Sequence, residues 1–280
     1  MTEAPLAIWS VSADATNAEK QQSFDAMIAK LPSHVIDTLL SLSQSGRYGE
    51  RQSLLGTWQT NGLPINYEST TLPGTTTREL LQKKDAAVFE TVCRLNHSCA
   101  PNCHAEWDGR LGTETVHALF DIPAGDELTI SYLSPRGRVR RDRQAQLLAD
   151  HGFTCNCAKC ALSGEDLASS EARQRALSTL CPPSAGALPL AERVKRVGLC
   201  LRLLEEESLP ALWAWKPELY HLVAGATAEL RRDSSRVSRE RLAAWAERAR
   251  KDVGCAQGAE HPAVQLLASL CHKLRTGLQV

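Results

Sequence analysis

Cys155-Asn-Cys157-Ala-Lys-Cys160 places three thiols within six residues. Thiolates are soft ligands that suit zinc, and a structural zinc takes four ligands in a tetrahedron, so the triplet calls for a fourth from elsewhere in the chain. Cys99 is the expected partner, with Cys103, His97 and His104 as rivals in the same stretch. A shared metal would tie the middle of the chain to the segment that follows it. A crowd of exposed reactive thiols without a metal brings a loop no advantage. Cys93, Cys181, Cys200, Cys255 and Cys271 stand singly, mostly among apolar neighbours, and are expected in the core as small hydrophobes.

Elements must hold those groups in place. The first 92 residues are rich in Ser and Thr, with helical spacing over 18–30 and 32–42, the second opened by Pro32-Ser33. Gly, Pro and Thr recur in Asn61-Gly-Leu-Pro64 and over 70–77, which are expected to be turns and an exposed loop. Thr115-Val-His-Ala-Leu-Phe120 and Glu127-Leu-Thr-Ile-Ser-Tyr132 read as strands parted by the turn at Pro123-Ala-Gly125. Beyond the cysteine triplet, apolar residues recur at three and four spacing over 190–204, 218–230, 239–249 and 263–274, so the tail is expected to be all α. Short helices without strands suggest tetratricopeptide-like hairpins, a plain bundle being the alternative.

The chain has 280 residues, 43% hydrophobic and 23% charged, ordinary values for a folded protein able to bury a core. No apolar run approaches the ~20 residues that span a bilayer. The acidic start lacks a secretory pattern, so a reducing compartment, nucleus and/or cytoplasm, is expected, where clustered thiols point to metal before disulfides. The 32 basic and 32 acidic residues cancel, against a protein held to nucleic acid by its overall field. Residues 1–135 carry −7 and 136–280 carry +7. The basic run Arg136-Gly-Arg-Val-Arg-Arg-Asp-Arg143 is expected to be the solvated start of a helix, rather than a nucleic-acid patch.

Three motifs stand in one order: Arg94-Leu-Asn-His-Ser-Cys-Ala-Pro-Asn102, Ile122-Pro-Ala-Gly-Asp-Glu-Leu-Thr-Ile-Ser-Tyr132 and Gly152-Phe-Thr-Cys-Asn-Cys-Ala-Lys-Cys160. Together they resemble the carboxy-terminal half of a SET domain and its post-SET zinc cluster, nearest to the SET-and-MYND and fungal SET-domain subgroup. The resemblance implies an α+β fold: a helical amino-terminal segment (1–54), a carboxy-terminal SET core (55–135), a post-SET zinc segment (136–164) and a helical tail (165–280).

It also implies transfer of a methyl group from S-adenosylmethionine to a lysine of a histone or other protein, without membrane or direct nucleic-acid partners. By that resemblance Leu95, Asn96 and His97 would hold the cofactor, Phe153 would lie against its adenine, and Asn61 would assist. Tyr132 would be the catalytic tyrosine, and Cys99, Cys155, Cys157 and Cys160 would bind one structural zinc. Two departures stand out. The chain shows no Gly-x-Gly turn of the kind that opens a SET domain, so its amino-terminal part is expected to be lacking. His151 occupies a position where relatives often place an aromatic of the lysine channel. An inactive SET remnant serving as a zinc-stabilised interaction module is therefore the second expectation.

Overall fold

The computed structural model describes residues 1–12, 14–65, 83–133, 137–180, 190–209 and 236–277. The loop expected over 70–77, the helix expected over 218–230 and Cys181 lie outside them.

Two short strands open the chain, β1 (Thr2–Glu3) and β2 (Ala7–Ser12), where a purely helical segment was expected. Period-two burial along β2 explains them: Ala7 is buried, Ile8 exposed and Trp9 half-buried, a pattern no helix would give. Helix α1 (Asn17–Ile28) starts at Thr16, whose hydroxyl accepts from Glu19 N while the Glu19 carboxylate accepts from Thr16 N, a reciprocal cap. Helix α2 (Ser33–Ser41) begins after Pro32, as read from sequence. Helix α3 (Leu54–Asn61), opened by the Ser53 side chain, was not foreseen.

The middle of the chain makes small sheets. After β3 (Leu63–Pro64) comes β4 (Lys83–Val88), which sits between β2 and β3, antiparallel to both. Two-residue β5 (Asn96–His97) precedes the hairpin β6 (Cys103–Asp108) and β7 (Thr113–Ala118), with β1 on the far side of β7. The segment expected as a six-residue strand pairs only as β8 (Thr129–Ile130), parallel to β5. Strand β4 divides two cores by its alternating faces. Val88 packs with Phe24, Val35, Leu39 and Trp58, whereas Ala87 packs with Phe89, Val92, Val116 and Ile130.

The remainder is helical: α4 (Arg140–His151), α5 (Gly164–Leu180), α6 (Leu190–Glu206), α7 (Arg236–Gln257) and α8 (Pro262–Thr276). Helices α7 and α8 form a hairpin that packs on β7, and apolar residues at helical spacing, among them Leu242, Ala246, Leu267 and Leu274, make its core. The architecture is thus α+β with a helical carboxy-terminal region, and no tetratricopeptide repeat is seen among the described residues. No helix among these residues is long and apolar enough to cross a membrane.

Candidate zinc cluster and aromatic site

Cys99 follows β5, and the triplet follows α4. Gly152 ends α4 at φ +78°, a left-handed turn that sends the chain back over the helix; a Cβ there would lie 2.4 Å from the Ser45 hydroxyl. The ligand sulfurs of Cys99, Cys155, Cys157 and Cys160 all lie within 4.8 Å of one another. Sulfur ligands at about 2.3 Å around a tetrahedral zinc stand about 3.8 Å apart. Cys99 Sγ is 4.0 Å from Cys155 Sγ and 3.5 Å from Cys160 Sγ, so the donor set fits the metal in kind, number and spacing.

The rivals for the fourth position are occupied elsewhere. Cys103 is buried in the core between β4 and β7, and His104 pairs with Glu106 at 3.2 Å. His97 touches the cluster without joining it, its Nε2 lying 3.3 Å from Cys99 Sγ. Crowding drives the thiols apart in acidity: Cys99 is raised, chiefly by its hydrogen bond with Cys157, and Cys157 is lowered by the Cys160 and Cys99 thiols.

The basic run differs from its expected solvated role. Arg143 is 7% exposed, one Nη 3.7 Å from Cys160 Sγ and the other donating to Arg138 O, while its buried Nε has no partner. Arg140 donates to the carbonyls of Cys160 and Leu162. The chemistry of the donor set offers a physical reason: four thiolates around a divalent metal would leave two negative charges, which a buried guanidinium would offset. Helical spacing carried a signal for this, since Arg143 shares the buried face of α4 with Leu147 four residues on.

Beside the cluster lie four rings. Tyr132 is 4.8 Å from His151, 5.4 Å from His97 and 6.5 Å from Phe153, centroid to centroid, the last contact edge-to-face. The Tyr132 hydroxyl donates to Leu95 O at 2.7 Å, and burial pushes its phenol up to about 12. Burial lowers His151, and it lowers His97 to about 4, so both imidazoles are neutral near pH 7. His151 also lies 6.4 Å from Phe153, centroid to centroid, and Phe153 is half-buried against the cysteine cluster.

The other residues singled out by sequence have partners of their own. Asn96 is exposed, its amide donating to Glu127 Oε1 at 2.6 Å, while Asn102 holds Glu127 O and the backbone of Thr129. These bonds secure the parallel β5–β8 pair that carries His97 to Tyr132. Asn61 ends α3, with its amide donating to Ser43 O and Thr57 O. Its backbone carbonyl accepts from the thiol of Cys93, which burial raises to about 12.

The remaining lone cysteines divide. Cys271 is buried as expected, Cys200 is buried and disulfide-bonded, and Cys255 is exposed, where a core position was expected. Cys255 lies on the side of α7 that meets the end of β7, with its sulfur on the carbonyl of Leu119.

Part of the chain is similar to known proteins. Residues 11–133 match the family model described as SET domain. Histone-lysine N-methyltransferase SET5 of Meyerozyma guilliermondii is 42% identical over 78 residues, 27% of this chain and 16% of that protein. Histone-lysine N-methyltransferase set5 of Schizosaccharomyces pombe is 36% identical over 82 residues, 29% of this chain and 25% of that protein. N-lysine methyltransferase SMYD2 of Mus musculus is 36% identical over 110 residues, 39% of this chain and 24% of that protein. The chain spans a quarter or less of the length of these relatives. Residues 11–133, which include Tyr132 and Cys99, are therefore similar to a SET domain, and stretches of the chain are similar to fungal SET5 and SMYD2 methyltransferases.

Proposed function

We propose that the chain is an S-adenosylmethionine-dependent protein-lysine methyltransferase whose site is the ring cluster of Tyr132, His97, His151 and Phe153. The observation that supports this best is the meeting of those rings beside the cysteine cluster, because the residues that make it come from distant parts of the chain. Bound S-adenosylmethionine supplies an electrophilic methyl group on a sulfonium. Displacement from sulfur needs little acid or base help but close alignment, so catalysis rests on positioning. Tyr132 suits that work: its oxygen, fixed by Leu95 O, offers a lone pair to polarised C–H groups, and its high pKa keeps the phenol neutral.

Phe153, half-buried beside the Asn96–His97 strand, offers an aromatic face that fits a purine, with the backbone of Leu95, Asn96 and His97 along the same edge. The rings of Tyr132, His151 and Phe153 would form an apolar wall for the lysine stem. Such surroundings favour the neutral amine, which is the nucleophile. Zinc, held by the four cysteines, would fix the position of Phe153, two residues before Cys155.

A second reading, a SET remnant acting as a zinc-stabilised interaction module in the nucleus or cytoplasm, is favoured by one observation. The amides of Asn96 and Asn61, both assigned to the cofactor by resemblance, already donate to partners within the chain. Titration of the zinc-loaded chain with S-adenosylmethionine by calorimetry, followed by methyl transfer to lysine peptides, separates the two. Saturable binding with transfer that drops ~100-fold in Tyr132→Phe supports the enzyme. Absence of binding at millimolar cofactor, in a chain that keeps its zinc and its fold, favours the module.

A further inference from the structure

The imidazole of His97 has a partner on each nitrogen. Nδ1 lies 3.0 Å from the backbone N of Tyr132, and Nε2 lies 3.3 Å from Cys99 Sγ. A backbone amide only donates, so Nδ1 is the bare acceptor. The proton of the neutral ring then sits on Nε2, aimed at sulfur. One tautomer alone satisfies both contacts. We propose that His97 is a positioning residue whose imidazole couples zinc at the four cysteines to the backbone of Tyr132.

The inference rests on the reading of the cluster as a zinc site and of Tyr132 as the site tyrosine. Its chemistry follows from donor and acceptor roles. A zinc-bound thiolate carries no proton and accepts from Nε2–H, which leaves Nδ1 free for the Tyr132 amide. A metal at the cluster would fix the Cys99 sulfur that Nε2–H meets, so the ring is held on both nitrogens and with it the Tyr132 backbone. The β5–β8 pair supplies the rigid frame, since His97 and Ile130 are partners in it and Tyr132 is two residues further on.

Two substitutions divide the strut. Asn at position 97 puts its oxygen near the place of Nδ1 and keeps the Tyr132 contact but cannot reach sulfur. Gln keeps a donor near the place of Nε2 and loses the acceptor. The test uses the zinc-loaded 280-residue chain, reading hydrogen exchange at the Tyr132 amide and zinc release to a chromogenic chelator. Amides of the β6–β7 hairpin serve as the folding control.

His97→Gln is expected to speed Tyr132 exchange at least tenfold with the hairpin unchanged. His97→Asn is expected to leave Tyr132 protected and to release zinc 10–100-fold faster, as loss of an outer-shell partner does. Unchanged Tyr132 protection in His97→Gln, or unchanged zinc release in His97→Asn, overturns the coupling even if the chain binds one zinc and methylates lysine. A wild-type chain that binds no zinc removes the metal reading on which the coupling stands. Unprotected hairpin amides in both variants mark His97 as a general stability residue and also overturn it.

Discussion

Lys159, one residue before the last cysteine of the cluster, is ion-paired with Glu207, just past the end of α6, and both side chains are almost wholly buried. The same carboxylate accepts from Ser170 Oγ at 2.8 Å, Arg173 Nε at 2.6 Å and Gln174 Nε2 at 2.8 Å, all on α5. Desolvation alone would raise the pKa of Glu207, but these donors outweigh it and hold it down. The cysteine loop is thereby fastened to two helices of the carboxy-terminal region.

Removal of one partner should cost far more than removal of both. Glu207→Leu leaves the Lys159 ammonium buried without its counter-ion, and breaking such a pair typically costs about 3–5 kcal/mol. Lys159→Met with Glu207→Leu removes both charges and should recover most of that loss. Chemical denaturation of the two variants, with zinc present, checks the order; equal destabilisation would show that the pair contributes little.

Arg143 should govern the metal. Its guanidinium lies against Cys160 and is buried, so its charge acts in a medium where screening is weak. Arg143→Met is expected to weaken zinc binding by ~10–100-fold. Arg143→Lys should retain part of the affinity, because the charge persists while the fork that reaches Arg138 O does not. Competition with a chelator of known affinity gives the numbers, and wild-type affinity in Arg143→Met would deny the counter-charge role.

His151 should set the acid limit of substrate binding. Burial lowers its pKa below the ordinary 6.5, helped by the cation of Arg47 although opposed by Asp150. The ring is therefore neutral at pH 7 and gains a positive charge only on acidification below that value. A protonated imidazole 4.8 Å from Tyr132 would repel a lysine ammonium entering the ring cluster. Affinity for a lysine peptide is expected to fall below pH 6.5 in the wild type and to stay level in His151→Phe. Matching pH profiles would place His151 outside the substrate path.

The contrast between Cys99 and Arg143 shows what was readable in sequence. Ligand type and spacing follow local chemistry, so three cysteines announced a metal and the nearby motif supplied the fourth. Helices α1, α2 and α8 were legible for a similar reason, their caps and apolar periods being local. Arg143 lay within a basic run that pattern alone assigns to water, and only the return of the chain at Gly152 reveals that a negative cluster waits beneath it. Strand β6 was not singled out within the β stretch because its buried face includes Glu106, which departs from apolar alternation. The Lys159–Glu207 pair spans 48 residues and has no local signature.

Glu114 on β7 offers a test of the sheet itself. It is 4% exposed, its Oε2 is buried without a hydrogen-bond partner, and burial with the nearby Glu106 carboxylate pushes its pKa up to about 8. The folded state therefore binds this proton more tightly than the unfolded state, whose value is 4.5. By linkage, the stabilising effect is full below pH 4.5 and is lost as pH rises through about 8. Glu106 is itself held by His104 and Gln257, so the buried proton on Glu114 separates two carboxylates that could not both ionise cheaply. Glu114→Gln keeps the shape and cannot ionise. Its melting temperature should match or trail that of the wild type at pH 5 and exceed it by several degrees at pH 9, at ~2 °C for each kcal/mol. Thermal melts of both proteins across that range decide the matter, and parallel curves would mean that Glu114 ionises in the folded sheet without cost.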